Sequence, residues 1–243
     1  GIKLETIETK IEILEQKEIE KLKMEAYLAV AKGSDEKPKL IVMRYMNNPD
    51  SDEVVALVGK GMTYDSGGYA IKPAGGMVTM HTDMGGSAAV IGAINLLAKR
   101  EAKVNAIAIV PATENMISGH AYRNGDIISS MSGKSIEVVN TDAEGRLTLA
   151  DAIWYAHDIE KATRIVDIAT LTGAVIAALG EEITGVVSDD EKLEAEGKAQ
   201  GVAGKARGAF GDAKDKAEEV AKDVKDKTED AVDNLKSKFD KEK

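Results

Sequence analysis

Val54-Val55-Ala56-Leu57-Val58-Gly59-Lys60-Gly61 is an apolar run that stops at a lysine set between two glycines. Five apolar residues in succession, three of them β-branched, fit a short strand buried on both faces, as strands of parallel sheets are. The turn residues Asn47-Asn48-Pro49-Asp50 bound it on one side, and on the other the chain passes directly into a glycine-rich loop. Leu40-Ile41-Val42-Met43 reads as a second buried strand. Working towards the N-terminus, Ile7, Ile11 and Ile13 alternate with polar residues, the pattern of a strand with one buried face. Residues 16–31 then predict one helix with Ile19, Leu22, Ala26 and Val30 on its apolar side, ended by Lys32-Gly33-Ser34-Asp35.

Working towards the C-terminus, residues 85–99 are small and apolar enough for a helix pressed on a sheet, and residues 104–110 form the next strand. Residues 111–125 carry turn and loop types. Ile127-Ile128 and residues 136–139 are strand-like, 147–157 a helix, 164–168 a strand and 171–179 another helix. Alternating strands and helices predict an α/β fold: a mixed, largely parallel sheet flanked by helices. Ligands of open α/β sheets sit in the loops at the C-terminal ends of strands, and the glycine-rich loop is such a place.

At 243 residues the chain suffices for one substantial domain or two small ones. Aromatics make up only 4%, so Ala, Val, Ile, Leu and Met must fill the core. A net charge of -10 argues against nucleic acid as a partner, because neutralising phosphates needs a basic surface. The absence of cysteine removes disulfides, thiolate nucleophiles and thiolate zinc sites together. No apolar run approaches bilayer-crossing length and the start at Gly1 lacks a signal-peptide pattern, so the expected location is cytoplasmic, away from membranes. A start without Met reads as a fragment or a processed chain.

Chemistry concentrates in two stretches, Lys60-Gly61-Met62-Thr63-Tyr64-Asp65-Ser66-Gly67-Gly68 and Asn140-Thr141-Asp142-Ala143-Glu144-Gly145-Arg146. Charges crowded before an apolar helix are costly unless they have a task. If the second stretch is extended, alternate positions point the same way, so Asp142 and Glu144 face one point that a divalent metal can occupy. A two-metal hydrolytic centre needs several oxygen ligands around ions about 3.5–4 Å apart. Asp65, Asp83, Asp142 and Glu144 supply them. Lys60 and Lys72 have two available uses, as a neutral amine ligand with a depressed pKa or as a cation polarising a carbonyl. His81, His120 and His157 read as surface or capping residues, and Met62, Met77 and Met84 as packing.

With Ile71-Lys72-Pro73 and Thr82-Asp83-Met84-Gly85-Gly86 added, the order and intervals of these motifs resemble the leucyl aminopeptidase (cytosol aminopeptidase) family over roughly residues 11–194. The resemblance implies removal of an N-terminal residue, often Leu, from peptide substrates by a metal-bridged hydroxide. It matches Lys60, Asp65, Asp83, Asp142 and Glu144 to the family's ligands for two divalent ions, Mn or Zn with Mg as a third option. Lys72 and Arg146 match its catalytic pair, Lys72 stabilising the oxyanion and Arg146 holding a bicarbonate that shuttles a proton. Met80, Thr170 and Gly173 match the pocket for the first side chain. The family is homo-hexameric. It is also longer at both ends, so the resemblance implies a catalytic domain, residues 1–196, whose sheet is incomplete at its C-terminal side.

From Gly197 to Lys243 the composition turns to Gly, Ala, Lys, Asp and Glu. Val202, Ala206, Ala209, Ala213, Ala217, Val220, Val224, Thr228, Ala231, Leu235 and Phe239 form a stripe recurring every eleven residues, three helical turns with almost no drift. A stripe made mostly of Ala buries little, so residues 197–243 predict a helical or disordered tail. Such repeats resemble late-embryogenesis-abundant and CsbD-like hydrophilic stress proteins. The alternative function that follows is a non-catalytic stress-protective or scaffold protein, a truncated peptidase body joined to a hydrophilic tail.

Overall fold

The structure, a computed structural model, describes residues 9–180, 182, 184–187 and 189. The hydrophilic repeat, its resemblance and the boundary at residue 196 lie outside the described residues. The chain divides into two units, one up to Thr172 and one from Gly173 on.

In the first unit β1 (Lys10–Leu14) is followed by α1 (Gln16–Lys21), α2 (Glu25–Ala31), β2 (Lys39–Met46), β3 (Val55–Gly59) and β4 (Gly61–Asp65). Then come α3 (Ala74–Met77), a 3-10 turn (Met80–Thr82), α4 (Gly85–Lys99), β5 (Asn105–Asn115), β6 (Ile127–Ser129), β7 (Ser135–Glu137), α5 (Gly145–Asp158) and β8 (Arg164–Ile168). The main sheet has the order β1-β2-β5-β3-β8, with β4 also paired to β5, and β6 and β7 form a separate antiparallel hairpin. Strands β3, β4, β5 and β8 run parallel, while β2 is antiparallel to β5 and β1 to β2. This is the mixed, largely parallel α/β sheet that the alternation of elements predicts.

Period-2 alternation along β5 sorts the core into two layers. Ile107 and Ile109 join Val42, Val58, Tyr27, Leu149 and Ala152 under α2 and α5. Ala106, Ala108 and Val110 join Val90 and Ile94 under α4. Helices on both faces explain why the central strands read as continuous apolar runs.

The step from β3 to β4 makes the site. Strand β5 is paired by β3 at residues 106–109 and by β4 at residues 112–115, so the chain shifts at Gly59-Lys60-Gly61. Lys60 N donates to Ile168 O at the end of β8 and Lys60 O accepts from Ser87 N at the start of α4, at 3.0 and 2.9 Å. Gly86 permits this closeness, since a Cβ there would lie 2.2 Å from Ile168 O.

Several expectations change. Residues 16–31 are two helices, broken at residues 22–24, where Lys23 has φ of 56°. Ile11 and Ile13 are 58% and 50% exposed, so the alternating face of β1 is not buried; Leu14 is. Ile11 and Ile13 pair with Met43 and Ile41, which form the rim of the α4-side core, and therefore sit one strand beyond it. Strand β5 runs through Pro111 to Asn115, where a loop is expected. Pro111 falls where the ladder passes from β3 to β4, a position that needs no N–H donor on that side.

In the second unit α6 (Ala174–Leu179) starts three residues later than expected and closes at Gly180, φ 85°. Among the described residues no helix is long and apolar enough to cross a membrane.

Candidate metal centre

Asp65 ends β4, and its Oδ1 accepts from Gly67 N and from Asn115 Nδ2, each at 2.9 Å. Its other oxygen, Oδ2, lies 2.8 Å from Lys72 Nζ, which is also 2.5 Å from Asp142 Oδ1. Asp83 follows the 3-10 turn; Thr170 Oγ1 donates to its Oδ1 at 2.6 Å, and Lys60 Nζ lies 2.8 Å from Oδ2. Glu144 is the N-cap residue of α5, with Oε1 2.8 Å from Lys60 Nζ. The third partner of that ammonium is Thr170 O at 3.1 Å. Apart from Lys72, in the loop between β4 and α3, these groups sit at the C-terminal ends of parallel strands or at the starts of α4 and α5.

One oxygen from each of Asp65, Asp83 and Glu144 lies within 4.8 Å of the others, and all three residues are buried. Glu144 Oε2 is buried with no hydrogen-bond partner among the described residues. Three buried carboxylates with an orphaned oxygen are a donor set that fits a hard divalent cation. Asp142 is 34% exposed and meets the cluster through Lys72. Residues 141–142 form a turn, closed by Ala143 N donating to Asn140 O, rather than an extended strand. Asp142 and Glu144 accordingly serve different lysines.

Electrostatics reflect the crowding. Burial pushes the Glu144 carboxyl up to about 7; Lys60 offsets part of this and Asp65 adds to it. Asp83 is likewise raised by burial, against the pull of Lys60 and Thr170. For Lys60, burial acts downward but is outweighed by Glu144 and Asp83, so the ammonium is held above its usual range. Lys72 is raised in the same way, burial being outweighed by Asp142 and Asp65.

Of the other expected residues, Arg146 is exposed in the first turn of α5 and has no ion pair among the described residues. Met80 is half-buried in the 3-10 turn that leads to Asp83. Thr170, expected in the pocket, also grips Asp83 and Lys60. Gly173 belongs to the second unit as the N-cap of α6. All three histidines are exposed. Glycine is required at Gly67, which has φ of 86° and where a Cβ would lie 2.8 Å from Asp142 Oδ1. A cavity of about 510 Å³ near α1, α2 and β6 contains none of the clustered residues.

The sequence reading missed Asn115, Thr141 and Tyr122. Thr141 Oγ1 donates to Gly67 O and accepts from Ala70 N, both at 2.8 Å, and Tyr122 OH donates to Thr141 O at 2.8 Å. Asn115 and Tyr122 fell within the expected loop, and a strand reading of residues 111–115 is the signal that places Asn115 beside Asp65.

Fold and cluster together define an α/β protein with a buried, lysine-flanked carboxylate centre suited to divalent metal. A model of the catalytic domain of the cytosol aminopeptidase family matches residues 2–235, and the chain belongs to that family. A protein of Treponema denticola named "Probable cytosol aminopeptidase" is 61% identical over 194 residues, 80% of this chain and 41% of that protein. One of the same name from Clostridium perfringens is 58% identical over 187 residues, 76% of this chain and 38% of its own length. The solved leucine aminopeptidase of Caenorhabditis elegans superposes with a TM-score of 0.74 at 40% identity, covering 77% of this chain and 38% of that one. The chain thus spans about two fifths of the length of the curated relatives it matches.

Proposed function

We propose that this chain carries the active centre of a metal-dependent aminopeptidase that removes the N-terminal residue, often leucine, from peptides. The observation that carries this reading is the convergence of Asp65, Asp83 and Glu144, with Lys60 and Lys72 paired to them and to Asp142. Lys60, Asp65, Asp83, Asp142 and Glu144 would hold two divalent ions, Mn or Zn with Mg as a third option. Such ions supply Lewis acidity and lower the pKa of bound water.

The remaining roles belong to the chain. Lys72, held between Asp65 and Asp142 and raised in pKa, is a permanent cation suited to a developing oxyanion. Lys60 must release its proton to serve as an amine ligand, so loading with metal releases protons. Arg146 offers an exposed guanidinium, without an ion pair among the described residues, to a bicarbonate. Asp83 would anchor the substrate's α-amine, and Met80 and Thr170 would line the pocket for its first side chain. A cytosolic location and a homo-hexamer belong to the same reading; the names of the relatives support the first.

Hydrolysis of leucine p-nitroanilide by the pure, Mn-loaded chain tests the proposal. Chelator-sensitive turnover is expected, and Lys72→Ala should lower kcat by about 10²–10³ while Mn²⁺ still binds. Undiminished turnover in that variant takes Lys72 out of the mechanism, and no chelator-sensitive turnover in wild type defeats the proposal for this chain.

A further inference from the structure

Asn115 is the last residue of β5 and is fully buried. Its Nδ2 donates to Asp65 Oδ1 at 2.9 Å and to Thr141 O at 3.0 Å. Both partners are acceptors only, which fixes the amide with its nitrogen towards them. Asp65 lies opposite Asn115 in the parallel β4–β5 register, and Thr141 immediately precedes Asp142. One side chain therefore ties the strand end bearing Asp65 to the turn bearing Asp142, loops far apart in sequence.

The geometry acts on one oxygen of Asp65. Asn115 Nδ2 and Gly67 N together occupy Oδ1, leaving Oδ2 directed at Lys72. Asn115 Oδ1, in contrast, is buried without a hydrogen-bond partner among the described residues. An orphaned buried acceptor opposes stability, and such exceptions call for a functional explanation. Leucine has nearly the same shape and would leave no orphan of its own, but it cannot hold the carboxylate.

We propose that Asn115 is a positioning residue of the metal centre: its amide fixes the Asp65 carboxylate in the orientation it takes beside Asp83, Glu144 and Lys72, and locks the Asp142 turn in register with it. This rests on the metal-centre reading above. Ligand-orienting partners of this kind carry about tenfold to a hundredfold in metal affinity, so Asn115→Leu should weaken Mn²⁺ binding by that factor.

Calorimetric titration of Mn²⁺ into the chelator-stripped full chain, with melting temperature in chelator read in parallel, tests this. Tyr122→Phe is the control: it deletes the other donor to Thr141 O without touching Asp65, and it should leave the affinity unchanged. If Asn115→Leu lowers only the melting temperature and binds Mn²⁺ like wild type, the role is purely structural and the proposal is overturned. An equal loss of affinity in Tyr122→Phe also overturns it, because the effect would then be a general loosening of the Thr141 turn. Should Asn115→Leu fail to fold, Asn115→Ala, too small to clash, is judged by the same criterion. Wild type that takes up no Mn²⁺ overturns the metal-centre reading beneath the proposal, and is told apart because wild type and variants then fail alike.

Discussion

Gly145 has no room for a methyl group. A Cβ there would lie 2.9 Å from Lys60 Cε, 3.0 Å from Lys60 Cδ and 2.9 Å from Leu171 Cδ1. The backbone at this position is helical, so the substitution brings no dihedral strain, and two of the three clashes fall on one flexible stem. Gly145→Ala should therefore move the Lys60 amine rather than unfold the chain. Mn²⁺ affinity is expected to drop by about tenfold with little change of melting temperature in chelator, both measurable on one preparation. A large fall in melting temperature with normal affinity would show that the helix yields instead of the lysine. This residue also marks what was legible at the smallest scale. The charged members of the motifs were readable because Asp, Glu and Lys next to apolar runs demand a reason. Their pairing was not, because a turn at residues 141–142 sends Asp142 to Lys72 and leaves Glu144 to Lys60. The spacing of two residues by itself suggests one shared target.

At the scale of elements, α2 begins without a cap of its own: its N-cap residue is Met24, which makes no side-chain hydrogen bond. The cap comes from another helix. Asp151 of α5, fully buried, accepts from Tyr27 N in the first turn of α2 at 2.9 Å, and its second oxygen accepts from Met131 N at 2.8 Å. One carboxylate so joins α2, α5 and the β6–β7 connection. Asp151→Ala strands the buried Tyr27 N–H and the half-buried Met131 N–H and should cost about 2–4 kcal/mol in denaturant unfolding. Asp151→Asn keeps one acceptor and should recover part of the loss; an Ala variant as stable as wild type would remove Asp151 from the account. No local pattern announces this contact, since Tyr27 and Asp151 are 124 residues apart. The same limit explains the misread stretches. Strand β5 continues past Pro111 only because its partner changes there from β3 to β4. The helix of residues 16–31 breaks at Lys23 although its apolar period continues, with Ile19, Ala26 and Val30 all buried. A long, regular segment such as α4 is readable to the residue, because it carries its own period and its own punctuation.

For the first unit as a whole, the acids of the centre come from separate elements that only the finished sheet brings together. Four carboxylates there face two ammonium groups, which leaves the site short of positive charge. Burial lifts the Glu144 carboxyl to about 7, against an ordinary 4.5, and the neighbouring Asp65 adds to the rise while Lys60 offsets part of it. Between those two values the folded chain holds a proton that the unfolded chain has released, so the slope of stability with pH is negative. In chelator, the destabilisation from this carboxylate therefore grows as pH rises from 4.5 and is complete above about 7. A divalent ion needs the ionised form and relieves the same shortage. Stabilisation by Mn²⁺, about 2.7 kcal/mol when free ion exceeds Kd a hundredfold, should accordingly be larger above pH 7 than below it at fixed ion concentration. Thermal melts with and without Mn²⁺ on both sides of pH 7 measure this, and Glu144→Gln should flatten the pH dependence in chelator and shrink the Mn²⁺ increment. An increment equal at both pH values and untouched by Glu144→Gln would mean that the ions sit on ordinary surface carboxylates, already ionised throughout that range, and not among Asp65, Asp83 and Glu144.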